Sequence, residues 1–138
     1  MKTNILFATA IISLLSLLNV SFAQNNTQEA LSTEEIFYIV EEEPQFSGGE
    51  EAMFVFIKKN ILYPESAIIS GHEGKVYVSF IVERDGSISN VTIERGVSPE
   101  LDNEAMRVVK LMPKWTPGID HEQAVRTKVV VPIVFKLG

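Results

Sequence analysis

Two histidines are the only imidazoles in a chain of 138 residues that has no cysteine. The missing thiols remove disulfides, thiolate nucleophiles, thiolate metal sites and lipid-modified cysteines, so an apolar core alone must hold the fold. His72 follows Gly71 and His121 follows Asp120. Neither sits in H-x-x-x-H or H-E-x-x-H spacing, and both read as solvated loop histidines rather than ligands or bases. No G-x-S-x-G elbow, Walker loop or G-x-G-x-x-G segment is present. Ser47-Gly48-Gly49 could cradle an anion at a helix start, but its S-x-x-E spacing to Glu50 reads as a capping box. Glu41-Glu42-Glu43 could collect divalent cations loosely; with no bracketing ligands the run reads as a solvated acidic face. No catalytic residue, metal site or cofactor is therefore expected, and binding becomes the favoured class of function.

Charge and hydropathy divide the chain before any element is placed. Residues 5–20 (ILFATAIISLLSLLNV) carry no charge and have only Lys2 ahead of them. With Ser21-Phe22-Ala23 behind, this is the form of a secretory signal peptide cleaved after Ala23. The competing reading is an uncleaved anchor, because residues 5–23 approach the ~20 residues that cross a bilayer. Residues 24–51 hold eight glutamates and no Lys or Arg, whereas residues 52–138 hold eleven basic side chains against ten acidic ones. The net charge of −6 thus belongs to the lead-in. No basic stripe with interleaved aromatics appears, which argues against a nucleic-acid partner. The expected division is an export signal or anchor at 1–23, an acidic tether at 24–43 and one domain at 44–138.

The elements follow from periodicity and punctuation. Residues 36–40 (IFYIV), before Pro44, suit a short strand, with a helical turn begun by Ser32-Thr33-Glu34-Glu35 as the alternative. A helix should follow Ser47, with Met53, Phe56 and Ile57 on its apolar face and Asn60 closing it. Pro64 should open a second short helix that leaves through Gly71. Residues 75–82 (KVYVSFIV) alternate, with Val76, Val78, Phe80 and Val82 on one face. Asp85-Gly86 signals a hairpin. In the returning strand the parity of Ile88, Val91 and Ile93 shifts between Ser89 and Asn90, which marks a bulge. Ser98-Pro99 is an N-cap and N1 pair, with Leu101, Ala105, Val108 and Met112 on one face of the helix behind it, until Pro113. Residues 125–137 (VRTKVVVPIVFKL) form the longest strand candidate. Because Pro132 lacks a ladder donor, that strand should lie at a sheet edge or carry a bulge. The fold class is α+β, a small antiparallel sheet of about three strands with two main helices on one face. An apolar edge strand of this kind suits β-augmentation by an extended peptide, unless it simply completes the core.

Several stretches together resemble a known family. They are PQFSGGEEA from Pro44, Tyr63-Pro64 with Ala67, GHEGKVYVSF from Gly71, Asp85-Gly86-Ser87-Ile88, Leu101-Asp102, PKWTPG from Pro113, and VPIVF from Val131. Their order is similar to that of the C-terminal domain of the energy transducer TonB, in the form found in Bacteroidetes. The resemblance implies a periplasmic domain, not an enzyme, whose last strand pairs with the TonB box of an outer-membrane transporter. Val129, Val130, Val131, Ile133 and Phe135 would supply backbone pairing and packing. Tyr63, Pro64, Gly74, Gly86, Trp115 and Pro117 would be scaffold. Members that transduce energy have an uncleaved anchor, a partner proton-channel complex in the inner membrane, and a long, often proline-rich spacer. Here residues 24–43 contain no proline and reach ~70 Å fully extended. Two uses of the same strand follow: an anchored transducer, or a soluble periplasmic adaptor. Pairing of two copies into a homodimer is a further expectation for such an edge.

Overall fold

The computed structural model describes residues 35–138. The expected export signal, most of the tether and the start of the alternative helical turn at Ser32 lie outside the described residues. Residues 36–138 form one compact unit. Its elements are β1 (Ile36–Phe37), α1 (Gly49–Asn60), α2 (Glu65–Ser70), β2 (Gly74–Val82), β3 (Ile88–Arg95), α3 (Pro99–Lys110), β4 (Gly118–Asp120) and β5 (Gln123–Phe135). The class is α+β, with the expected two main helices and a short one of six residues, but with five strands rather than about three.

The sheet runs β1-β5-β2-β3, with β4 paired to the first residues of β5. β2 and β5 are antiparallel in unbroken register from Gly74↔Phe135 to Val82↔Thr127. Alternation then sorts their side chains. Val76, Val78, Phe80 and Val82 meet Thr127, Val131, Ile133 and Phe135 on the buried face, under Leu101, Ala105 and Val108 of α3. The bulge expected in β3 is present where the register slips between Ser89 and Thr92, with Asn90 at φ 50°. A second slip lies between Ile93 and Arg95.

Local chemistry explains where the helices begin and end. Ser98 caps α3 by accepting from the Leu101 N–H, with proline at the first position, as its sequence indicates. α1 is entered differently from the capping box expected at Ser47. Gly48 is the N-cap at φ 93°, Gly49 follows at φ 87°, and no side chain caps the helix. Two consecutive glycines permit a left-handed entry that places Ser47 outside the first turn. Pro64 is likewise the N-cap of α2 rather than its first residue, and Gly71 closes that helix at φ 70°. The buried Glu104 of α3 is fully engaged. It accepts from the Leu62 N–H (3.2 Å) and from Arg107, which also donates to the Asn60 carbonyl at the end of α1 (2.8 Å).

β4 escaped sequence reading because its hairpin turn is His121-Glu122, both at positive φ (49° and 63°). That geometry favours Asn and Gly, so this pair carries no turn signature. The N-terminal arm completes the layer: Glu42 pairs with Ile119 and Gln45 with Thr116 through backbone bonds of 2.8–3.0 Å.

Trp115 locks the hairpin between β2 and β3 to this arm. Its ring stands edge-on to Phe46 and Phe80 at 5.8 and 5.3 Å, and its main-chain N–H donates to the Gly86 carbonyl at 2.8 Å. Gly86 sits at φ 86°, and a Cβ there would lie 2.0 Å from the Trp115 carbonyl oxygen. Gly86→Ala should therefore lower the stability by more than about 1 kcal/mol. This would be read as a drop in the urea midpoint, and an unchanged midpoint would mean that the Trp115 loop can move away without loss.

Candidate functional site

β5 is bounded on one side by β2 and β4 and on the other by β1, which pairs in parallel only at Arg126 and Thr127. Past Lys128 that outer side has no partner among the described residues. Which groups it presents follows from the hairpin. Glu83 donates to the Ser87 carbonyl, so its main-chain groups face β3. Alternation along β2, which contains no inserted residue, turns Ser79 and Tyr77 the same way. Their partners Val130 and Pro132 therefore turn their backbone groups away from β2, as does Val134 opposite Lys75. Pro132 is accommodated because the donor it lacks would have pointed out of the sheet.

The side chains separate along the same alternation. Val131, Ile133 and Phe135 are 3%, 0% and 2% exposed, with their backbone groups directed at β2. Val129 is half-buried, while the side chains of Val130 and Val134 are 43% and 53% exposed on the face opposite the core. The residues singled out from sequence thus fall into two sets: Val130 on the open edge, and Val131, Ile133 and Phe135 in the core beneath it with Val129 at the boundary. Val134 was missed. Pro132 is the signal that finds it, since residues two apart from an outward proline also face outward.

A groove of about 410 Å³ runs beside this edge. Its walls are the arm at 43–46, the N-terminal turns of α1 and residues 129–132 of β5, and Phe46, Met53, Phe54 and Trp115 are among its apolar lining. Trp115 is the only tryptophan, and its Nε1 donor is buried without an acceptor. The scaffold residues sit behind the edge. Tyr63 stands edge-on to Phe135 at 5.5 Å and donates to the His72 carbonyl, Pro64 caps α2, Gly74 opens β2 opposite Phe135, and Pro117 leads into β4.

The titratable groups near the site do structural work. Arg126, where β1 meets β5, holds Glu83 with hydrogen bonds of 2.7 and 3.1 Å, and that contact keeps the Glu83 carboxyl below its ordinary pKa. His121 is raised above its ordinary value by Asp120, whose carboxylate lies 2.8 Å from Nδ1, and by Glu41. Glu41, Asp120 and His121 are the one grouping among the described residues that could offer three ligand atoms to a cation. All three are solvent-accessible, and two already bond each other. His72 lies 3.9 Å from Glu100 in a surface loop. No helix among the described residues is long and apolar enough to cross a membrane.

Residues 59–137 match the family described as Gram-negative bacterial TonB protein C-terminal. The solved structures similar to this chain include two solution structures of the Helicobacter pylori TonB C-terminal domain. One is 27% identical with a TM-score of 0.45, over 64% of this chain and 95% of that one. The other is 25% identical with a TM-score of 0.44, over 62% and 79%. No curated protein sequence matches the chain.

The Arg126–Glu83 pair predicts a pH signature. A carboxyl with a lowered folded pKa adds stability at neutral pH that is lost as pH falls through that pKa. Glu83→Gln should cost about 1 kcal/mol at pH 7. The deficit should shrink below the ordinary glutamate value of 4.5. Urea unfolding of both proteins across that range checks it; a deficit equally large in acid would assign the loss to packing instead.

Proposed function

The chain belongs to the TonB C-terminal family, and we propose that the open side of β5 is where the TonB box of an outer-membrane transporter adds as an extra strand. The observation that supports this most directly is that Val130 and Val134 turn outward main-chain groups that have no partner among the described residues, beside an apolar groove. An added strand alternates its side chains, so every second residue would enter the groove beside Phe46, Met53 and Phe54. Backbone pairing supplies affinity, and the groove supplies the preference for an apolar residue. On this reading the domain works in the periplasm, in support of TonB-dependent transport and without a catalytic role.

The same edge serves two uses, and residues 1–23 decide between them. Kept as an inner-membrane anchor facing a proton-channel complex, they would let β5 carry force to the transporter. Removed after Ala23, they would leave a free periplasmic adaptor with a 20-residue acidic tether at 24–43. N-terminal sequencing of the native protein separates the two. A start at Gln24 removes direct transduction, and an intact Met1 in the inner membrane removes the soluble adaptor.

Val130→Pro tests the edge itself. The Val130 N–H points away from β2, so proline there should leave the sheet intact while deleting an outward donor. A TonB-box peptide titrated against the wild-type protein should shift the fluorescence of Trp115, and the variant should bind at least tenfold more weakly with an unchanged circular dichroism spectrum. Unaltered binding by a folded variant would overturn strand addition at this edge.

A further inference from the structure

We propose that Pro132 prevents the open edge of β5 from pairing with the same edge of a second copy of this chain, while leaving that edge usable by a shorter foreign strand. The inference rests on the reading of this edge as a pairing surface. Residues 129–135 (VVVPIVF) are apolar, β-branched or aromatic and uncharged apart from the proline break, the composition that pairs with itself most readily. Charge gives limited protection, since Lys128 and Lys136 only bracket the stretch and Lys128 is engaged with Glu94 at 3.4 Å.

The outward-facing residues past Lys128 are Val130, Pro132 and Val134, so the proline occupies the middle of the open ladder. Two copies brought together antiparallel about Pro132 would set Val130 of each opposite Val134 of the other. The central pair would then be proline against proline. Both of its hydrogen bonds are absent, and the two rings occupy the space through which the backbones would have to approach. Sliding the register moves each proline opposite a valine and interrupts the ladder twice instead of once. A foreign strand escapes this penalty because it brings no second proline and can pair mainly on the Val130 side, next to the groove. The proline costs the fold nothing, because β2 never uses that donor.

Sedimentation velocity of the protein as isolated from its host, over a wide concentration series, tests this. Pro132→Val should self-associate at least tenfold more tightly than the wild type. Adding Val130→Pro to that variant moves the break by one outward position and should return it toward wild-type behaviour. Pro132→Val sedimenting like the wild type would overturn the inference, as would undiminished association of the double variant. Titration of a TonB-box peptide on the same samples keeps the two readings apart. If Val130→Pro still abolishes peptide binding while Pro132→Val stays unassociated, strand addition stands and the guarding role of Pro132 falls.

Discussion

The unbroken pairing of β2 with β5 is the constraint on which the rest of the molecule depends. Nine consecutive residue pairs, from Gly74↔Phe135 to Val82↔Thr127, hold one register without a slip. Because side chains and main-chain groups both alternate along a strand, this register decides two things together. It sends Val131, Ile133 and Phe135 into the core under α3, and it turns the backbone groups of Val130, Pro132 and Val134 outward. A slip of one residue would expose the core set and bury the edge set. Stability of the core and availability of the edge are therefore fixed by the same alignment.

The groove depends on a second set of contacts, all meeting at Trp115. Its ring is clasped by Phe46 from the arm and Phe80 from β2, and its main chain bonds the turn at Gly86. Gln45 and Thr116 exchange backbone bonds of 3.0 and 2.8 Å. The arm is thus held next to β4 and does not continue along β5, although β1 enters parallel to that strand. Tyr38 and Ile39, which would prolong β1 over the edge, leave it and stand 71% and 87% exposed. Among the described residues the edge stays open because the arm is committed elsewhere.

Much of this was legible in the sequence wherever one residue carries one backbone instruction. Ser98-Pro99 starts α3, Gly71 ends α2, and the parity shift at Asn90 is a bulge. Of the edge or bulge that Pro132 implies, the structure has the edge, past the two residues paired with β1. The failures occur where the instruction is tertiary. Ser47 and Glu50 have capping-box spacing, yet Gly48 and Gly49 take the chain into α1 by a left-handed route set by packing around Phe46. His121-Glu122 makes a tight turn without turn residues, held by Asp120 and Glu41. The family resemblance points to Val129, Val130, Val131, Ile133 and Phe135 as one apolar run, which does not separate Phe135 and Ile133 from Val130. Only the register separates a side chain that fills the core from a backbone that faces a partner, and register with β2 is not written in β5 alone.

Magnitudes indicate how such an edge would behave once occupied. Each ladder bond adds a net ~0.5–1.5 kcal/mol, and Pro132 removes one donor from a short stretch. Association itself costs at least ~4 kcal/mol in lost freedom of motion. The ladder alone is then close to balanced, and the surplus has to come from burying apolar surface. One side chain seated against Phe46, Met53 and Phe54 is worth ~1.5–3 kcal/mol. Glu43 and Glu50 line the groove with like charge, which disfavours acidic residues at its mouth. An added strand on an edge built this way would be held modestly and released readily rather than as a permanent interface.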